Sequence, residues 1–399
     1  MKLKKVMILF CTSLIIPLMG MQNYVLAENI YYDAQVNGTY QGRSGELIKQ
    51  VKQYKTVSQA LQDVPAGRTS PYRIYIKNGR YYEKITVDKK FVSLIGESKE
   101  KTILTFDANA DTLDPQGMKY TTFKSASVEI LADHFQARDL TIENSWDYNA
   151  NWRKENTDKT KVKNPQAVAL KMDLASDQAI FQNVKITGFQ DTLYLNAGRT
   201  YFYNSMVSGN VDFIFGAGCA VFDSCHIVSR DRGLPETQGL DSALVGKSNG
   251  FITAPSTQET AKYGFLFIHS RLLKEQPQMA DESVTLGRPW HPTTNLPDGT
   301  RAADPRVSSA VAYIDCYMEA HVSKKGWDPM AGKNAAGAKI WFTPETSRFV
   351  EYGSTGPGAK TSETRTWVSA AEAENFTILK VLCGWNPVLA VQATRKTSY

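Results

Sequence analysis

A weak repeat of about 20 residues through the middle of the chain constrains the fold more than any other sequence feature. Its unit is an aromatic residue followed five positions later by an aliphatic one, at Phe135/Leu140, Phe181/Ile186, Phe202/Val207, Phe222/Ile227, Phe267/Leu272 and Tyr313/Met318. The aromatic members lie 46, 21, 20, 45 and 46 residues apart, one or two multiples of roughly 20 to 23. A right-handed parallel β-helix satisfies this spacing best, because each turn buries its inward residues on its neighbours. We therefore predict an all-β solenoid with short terminal helices.

Two other repeat architectures fit poorly. A leucine-rich horseshoe requires an LxxLxL signature that is missing, and a β-propeller needs four strands per repeat, for which the period is about half long enough. Strand patterns begin at Tyr72, and apolar spacing predicts a short helix over Thr56–Val64 that ends at Pro65. Ser369–Glu372 matches a capping box, which indicates another short helix that covers the last turn or lies along the outside.

Three longer segments interrupt the repeat, namely Ser145–Asn164, Asp231–Lys262 and Pro292–Pro305. Loops longer than about 12 to 15 residues are usually functional or disordered. If these three leave from neighbouring turns, they wall a cleft on one side of the solenoid.

The N-terminus has the organisation of a signal peptide. Lys2, Lys4 and Lys5 precede the apolar run Val6–Met21, and Val25–Ala27 provides a small-residue cleavage site. We therefore predict a signal peptide at residues 1–27 and a single domain over 28–399, secreted to the periplasm or the medium. A membrane anchor is the alternative, but the run is short for a bilayer span, and no membrane association is expected after cleavage.

Charge and cysteine content limit the choice of partners. The formal net charge is +6, and removal of the three leader lysines leaves +3, which permits a polyanionic substrate but is too weak and dispersed for nucleic-acid binding. Four cysteines follow the leader, Cys219, Cys225, Cys316 and Cys383. They lack the CxxC spacing of a zinc site, so they are either free or paired in one of three ways. No metal or cofactor is expected.

Asp191 and Asp212 are the candidates for chemistry. They lie 21 residues apart in Gly188–Gly218, so a solenoid places them on adjacent turns about 4.8 Å apart. Either aspartate alone could be a turn or capping residue. As a pair in apolar surroundings they cannot both ionise easily, so one stays protonated and the other charged, as a general acid and a nucleophile require.

Arg288 and Trp290 lie in one short segment, Leu286–Trp290. A guanidinium can hold a carboxylate through two hydrogen bonds, which keeps it ionised and oriented. Trp290 can offer a flat apolar face to a sugar ring. The alternatives are a surface arginine before a proline turn and a core tryptophan.

The sequence resembles the pectin methylesterases, in particular the secreted bacterial members. The matching segments occur in the family's order and span most of the chain after the leader: Gly79–Glu83, Gln166–Leu170, Gly188–Tyr194, Gly209–Gly216 and Leu286–Trp290. The resemblance implies a right-handed parallel β-helix, which agrees with the repeat. It also implies a cofactor-free ester hydrolase that converts methyl-esterified pectin (homogalacturonan) to pectate and methanol, and we expect it to act as a monomer.

The resemblance also assigns roles to single residues. Asp212 matches the nucleophile that attacks the C6 methyl ester, and Asp191 matches the acid that protonates methanol and then activates water. Gln190 matches the amide that hydrogen-bonds the anionic intermediate, Gln166 supports it, and Arg288 matches the arginine that orients the nucleophile. The residues that match the substrate groove are Arg232, Trp290, Thr293, Met330 and Phe215.

One departure from the family concerns a disulfide. Bacterial relatives often have a cysteine near the position of Ser205 that pairs with a partner matching Cys225. Ser205 cannot form this bond, so Cys225 is either free or paired differently, for instance with Cys219.

Other functions remain as alternatives. Gly246–Gly250 fits the G-x-S-x-G pattern of serine esterases, but FITAPST follows it and cannot start the helix that the motif requires. A pectate lyase would need dense calcium-binding acids, which are absent from the sequence, whereas a polygalacturonase would also use paired carboxylates. A non-enzymatic pectin-binding solenoid would use the aspartates only as turn residues.

Overall fold

The structure is a computed structural model that describes residues 31–233 and 248–396. Three parallel sheets run along the molecule, and each turn of the chain adds a strand to one sheet after another. The fold is a right-handed parallel β-helix, as the repeat predicted. The predicted signal peptide at 1–27 lies outside the described residues. In the described part of the chain, no helix is long and apolar enough to cross a membrane.

The largest sheet, sheet A, has twelve strands. Its pairings are parallel except for the hairpin between the first two strands of its order. From one edge of the sheet to the other, starting with those two strands, the order is Glu46–Ile48, Val51–Tyr54, Ala34–Val36, Tyr72–Ile76, Val92–Gly96, Gln136–Arg138, Ala179–Gln182, Arg199–Tyr203, Cys219–Asp223, Phe265–Ile268, Ala310–Ile314 and Arg348–Tyr352.

Two further sheets close the coil. The strands of sheet B, in chain order, are Gly79–Tyr82, Thr102–Phe106, Thr141–Asn144, Lys185–Thr187, Met206–Gly209, His226–Ser229, Arg271–Lys274 and Tyr317–Met318. Those of sheet C are Ile85–Val87, Val128–Ile130, Leu170–Met172, Leu193–Leu195, Val211–Gly216, Gly250–Pro255 and Val284–Gly287. Two antiparallel hairpins project from the coil, Thr293–Asn295 with Arg301–Ala303 and Met330–Lys333 with Lys339–Phe342.

The aromatic repeat forms a stacked column inside the coil. The rings of Phe181, Phe202, Phe222, Phe267 and Tyr313 are register partners in sheet A, with successive centroids 4.6–4.9 Å apart. Offset stacking at this distance adds to the burial of each ring. This column confirms the repeat over these five turns.

The first repeat unit was placed wrongly by two residues. Ala137, not Phe135, is the register partner of Phe181, and Ile142, not Leu140, is the partner of Ile186. Phe135 instead precedes the strand and packs at an angle on Phe181, with centroids 5.6 Å apart. The pattern failed there because the aromatic residue fills the core from outside the strand.

The inserted segments contain structure of their own. Ser145–Asn164 includes the helix Tyr148–Trp152, and Pro292–Pro305 contains one of the two hairpins. The prediction for Asp231–Lys262 was too broad, because Gly250–Pro255 is a buried strand of sheet C. Residues 234–247 of that segment lie outside the described residues.

The predicted terminal helices are confirmed. Val57–Gln62 forms a helix capped by the Thr56 side chain, and Ser369 and Glu372 form a reciprocal capping box. The C-terminal helices cover the outer face of sheet A, where Val381 and Val391 pack against strand residues such as Tyr201. The capping box opens the helix Ala370–Ala373. The other helices among the described residues are Thr121–Lys124, Tyr148–Trp152, Ile378–Val381, Val388–Lys396 and the 3-10 turn Pro344–Thr346.

The four cysteines that the structure describes are free. Cys225 is buried in the interior of the coil, whereas Cys219 packs on the outer face of sheet A. A bond between these two is excluded because their side chains lie on opposite sides of the coil wall.

Candidate active site

The register of sheet C brings the two aspartates together. Leu193 pairs with Ile214 and Tyr194 pairs with Phe215, so the offset of 21 residues also places Asp191 opposite Asp212. The amide of Asp191 donates to the carbonyl of Val211 at 3.0 Å. The two carboxyl groups therefore occupy successive rungs of the coil, as the repeat predicted.

A β-bulge directs Asp212 out of the core. Val211 pairs with Phe251 and Ile214 pairs with Thr253. Two residues therefore lie between the paired positions on this strand, but only one lies between them on the neighbouring strand. Asp212 adopts a left-handed φ of 50°, and its neighbour Phe213 is fully buried. Bulges commonly re-aim side chains next to active sites. Here the bulge buries the phenylalanine while the aspartate lines a cleft on the outside of sheet C.

The turn before Asp191 is equally constrained. Asp191 has a left-handed φ of 60°. Gly209, on the next rung, has no space for a side chain, because an added Cβ would lie 2.6 Å from the carbonyl oxygen of Phe189. Arg230 places its guanidinium 3.8 Å from the centre of the Phe189 ring and donates to the carbonyl of Gly188 at 2.9 Å. These contacts fix the turn that presents the carboxyl group.

Arg288 holds Asp212 through two hydrogen bonds. Its Nε donates to Oδ1 at 2.8 Å and its Nη2 donates to Oδ2 at 2.6 Å. The guanidinium also lies 3.8 Å from the centre of the Phe251 ring, so the ring packs against it through a cation–π contact. A largely buried bidentate pair of this kind keeps the carboxylate charged and fixes its orientation.

Asp191 is in the opposite electrostatic state. Burial, and then the negative charge of Asp212, raise the pKa of Asp191 well above its usual range, and the positive charge of Arg288 opposes this increase only in part. Asp191 therefore keeps its proton to a higher pH than an ordinary aspartate does, whereas Asp212 has the guanidinium of Arg288 as its counter-ion. One acid and one anion face the same space, which is the pairing required for nucleophilic catalysis with proton transfer.

A cleft of about 350 Å³ surrounds the two carboxyl groups. It brings together eight of the ten residues singled out from the sequence: Gln166, Gln190, Asp191, Asp212, Phe215, Arg288, Trp290 and Met330. An aromatic row follows one wall, with Tyr194 stacked on Phe215 at 4.4 Å and Phe215 edge-on to Trp290 at 5.7 Å. Apolar rings thus lie beside the two acids.

Comparison with known proteins identifies the family. The pectinesterase family model matches residues 48–384. The chain is 40% identical to pectinesterase A of Dickeya dadantii (strain 3937), over 92% of this chain and 96% of that protein. The chain belongs to the pectinesterase family. The prediction of a pectinesterase, a carboxylic ester hydrolase, is confirmed.

Solved pectin methylesterases have the same fold. One in complex with a hexasaccharide superimposes with a TM-score of 0.82 and 40% identity, covering 90% of this chain and 99% of that one. The Yersinia enterocolitica enzyme gives a TM-score of 0.76 and 42% identity, covering 83% of this chain and 99% of that one. The β-helix of this chain is therefore the fold of solved pectin methylesterases, in agreement with the family match.

Two candidate groove residues of this pectinesterase lie outside the cleft. Arg232 stacks on Trp152 at 4.3 Å and donates to the carbonyl of Ser248. Thr293 is exposed on the first strand of a hairpin. Their assignment to the substrate groove stays a prediction.

Other residues of the pectinesterase cleft were missed from the sequence. Thr122 and Phe123, from the short helix Thr121–Lys124, line the cleft, and the Phe123 ring lies 5.8 Å from Tyr194. No signal could have found them, because this helix has neither the repeat nor a recognisable motif. Ala254 also lines the cleft, from the sheet C strand Gly250–Pro255, where it pairs with Phe215.

The serine-esterase pattern does not form a nucleophile elbow. Gly246 and Lys247 lie outside the described residues. Ser248 donates its hydroxyl to the carbonyl of Gly250 at 2.7 Å, and a strand follows where the motif requires a helix. The prediction of a loop at Ser248 is thereby confirmed.

Proposed function

We propose that this pectinesterase removes C6 methyl esters from the galacturonosyl units of pectin, with Asp212 as nucleophile and Asp191 as acid and base. The observation that carries the proposal is the contrast between the two carboxyl groups. Asp212 is held as an anion by Arg288, and Asp191 is buried with a raised pKa.

In the first half-reaction, a carboxylate oxygen of Asp212 attacks the C6 carbonyl carbon of the ester. The carbonyl electrons move onto oxygen to give an anionic tetrahedral intermediate. As the intermediate collapses, the bond from C6 to the methoxy oxygen breaks, and Asp191 gives its proton to that oxygen. Methanol leaves, and C6 is joined to Asp212 as an acyl-enzyme anhydride.

In the second half-reaction, Asp191 is a carboxylate and acts as the base. It takes a proton from a water molecule, whose oxygen attacks C6 of the acyl-enzyme. The bond between C6 and Asp212 breaks, which frees the galacturonate carboxyl group and restores the anion facing Arg288. Asp191 ends with its proton, so the net reaction consumes one ester and one water and yields one acid and one methanol.

Gln190 and Gln166 are placed to stabilise the intermediate. Both side chains line the cleft with the two aspartates. An amide that donates to the developing oxyanion lowers the barrier by about 2.7–4 kcal/mol.

Gln190→Ala is expected to lower kcat by roughly 100- to 1,000-fold and to leave KM nearly unchanged, because the lost hydrogen bond forms only in the transition state. Steady-state methanol release measures both constants. Gln136→Ala, in a sheet A strand away from the cleft, is the matched control. An increase in KM with normal kcat would instead assign Gln190 to ground-state binding.

The cleft wall suits a sugar chain. Trp290 is partly exposed and offers an apolar face that can pack on a pyranose ring, and the buried Phe215 supports its edge. We propose that these two residues form the groove together with Arg232, Thr293 and Met330. The hexasaccharide bound by a solved pectin methylesterase supports a carbohydrate polymer as the ligand.

The N-terminal segment is part of the same proposal. Residues 1–27 direct export and are removed, which leaves one catalytic domain, 28–399, acting as a monomer outside the cytoplasm. The family match over one uninterrupted stretch, residues 48–384, supports a single domain. N-terminal sequencing of the exported protein should begin at Glu28, and a start elsewhere would reject this cleavage site.

Methanol release from highly methylated pectin, with and without a chelator, tests the reaction itself. Wild-type protein should release methanol at the same rate in both, with no new reducing ends and no unsaturated product. Chain cleavage would indicate a polygalacturonase or lyase instead. Binding to pectin without methanol release would indicate a non-enzymatic solenoid.

A further inference from the structure

The hairpin beside the cleft has two distinct faces. Met330 pairs with Phe342, Ala331 with Trp341, and Lys333 with Lys339. Because side chains alternate along a strand, Met330 and Phe342 share one face, while Trp341 and both lysines share the other. Burial follows the same alternation, with every residue of the second face exposed.

The inner face anchors the hairpin at the end of the cleft. The Phe342 ring stacks on the ring of His291, with centroids 3.5 Å apart. His291 directly follows Trp290 in the sequence. Gly332 lies against Ala303 of the other hairpin so closely that an added Cβ would be 2.9 Å from it. Met330 on this face lines the cleft. The hairpin therefore borders the cleft through its inner face, and its outer face lies on the opposite side of the same two strands.

The outer face has a composition that folding alone does not explain. Trp341 is 57% exposed, and the ammonium group of Lys339 lies 4.3 Å from the centre of its ring. Lys333 lies directly opposite Lys339, an arrangement of like charges that destabilises a hairpin. Neither lysine has an ion-pair partner among residues 31–233 and 248–396.

The acids that flank the hairpin form no ion pair with these two lysines. Asp328, which precedes Lys333, pairs with Lys325 instead. Glu345, which follows the hairpin, accepts a hydrogen bond from the Thr343 side chain. Two unpaired cations and an exposed indole thus stand together. Their complement is a ligand with spaced negative charges and flat apolar surfaces.

We propose that Lys333, Lys339 and Trp341 form an accessory site for de-esterified galacturonan, the product of the reaction. The inference rests on the proposed function, which supplies the ligand, because each ester removed leaves one carboxylate on the chain. A galacturonate ring packs its C–H face on the indole, and neighbouring carboxylates pair with the two ammonium groups. The site holds a processed stretch of polymer while another stretch occupies the cleft.

The accessory site is tested by binding of fully de-esterified polygalacturonate to the full-length protein. Trp341→Ala is expected to weaken binding about tenfold, and Trp341→Tyr to restore much of it. Lys333→Gln with Lys339→Gln should weaken binding at low salt, and the difference should shrink at high salt because the charges are screened. Leu47→Ala, which also removes an exposed apolar side chain but on sheet A, is the matched control.

Substrate length separates this site from the cleft. For each variant, kcat/KM for methanol release is compared between long pectin and a methylated trisaccharide chosen to occupy the cleft alone. For Trp341→Ala, we expect the ratio of kcat/KM for long pectin to kcat/KM for the trisaccharide to fall roughly tenfold. An unchanged ratio with unchanged polygalacturonate affinity, or equal binding of anionic lipid vesicles, would overturn the proposal. Wild-type turnover of the trisaccharide tests the proposed function independently.

Discussion

Asp212→Asn is expected to reduce methanol release by about a thousandfold or more. The amide of asparagine is a far weaker nucleophile than a carboxylate, so the acyl-enzyme cannot form. What remains is the contribution of binding and of the oxyanion donors, as when the nucleophile of other hydrolases is removed. Initial rates of methanol release at substrate saturation measure the effect.

The control for this variant must separate chemistry from folding. Asp212→Asn also leaves the guanidinium of Arg288 without its anionic partner, so a lower Tm is expected beside the loss of activity. Asp315→Asn is the matched control, because Asp315 has a similar left-handed φ of 51° but is exposed away from the cleft. If folded Asp212→Asn protein kept a tenth or more of wild-type activity, Asp212 could not be the nucleophile.

Asp191→Asn should lower kcat by roughly 100- to 10,000-fold without weakening the fold. The variant cannot protonate the departing methanol or activate the water, which is the usual contribution of a general acid and base. The amide has nearly the shape of the protonated acid that the raised pKa of Asp191 favours. Packing in the cleft should therefore be preserved.

The stability of the same variant provides an independent readout. Because the pKa of Asp191 is raised in the folded state, the folded protein keeps this proton to a higher pH than the unfolded chain does. The contribution of Asp191 to the free energy of unfolding of wild type is thus present at low pH and is lost as the pH rises through the pKa of Asp191 in the folded protein. Asp191→Asn has no such loss, so its Tm should exceed that of wild type by a margin that grows with pH.

Thermal unfolding of both proteins over a series of pH values measures this margin. A variant less stable than wild type at every pH, by a constant amount, would show that Asp191 is ionised in the native protein. The assignment of the acid would then be wrong even if activity were lost.

The sequence was sufficient for the features that repeat. Stacked rings such as Phe202 and Phe222 show the period directly, and the offset of 21 residues between Asp191 and Asp212 is the length of one turn. Register in a buried coil is strongly specified, because a slip of one residue would expose the core side chains. Periodicity therefore predicted both the fold and the proximity of the two acids.

Features that do not repeat escaped prediction. The bulge at Asp212 accompanies the burial of Phe213 in the core, and a single bulge leaves no periodic signal in the sequence. Phe123 reaches the cleft from a short helix whose position is set by tertiary contacts, including a hydrogen bond from the buried ammonium group of Lys171 to the Phe123 carbonyl. Loop geometry of this kind is fixed by the folded molecule and not by local sequence.

The single coil between the two aspartates also limits how this protein can diverge. From Asp191 to Asp212 the chain passes through sheets C, A and B once, without an added helix or hairpin. Gain or loss of one residue there would turn one carboxyl group toward the opposite side of the wall. Over evolutionary time, length changes should therefore accumulate in other coils, while the number of residues from acid to nucleophile stays constant among descendants that keep the activity.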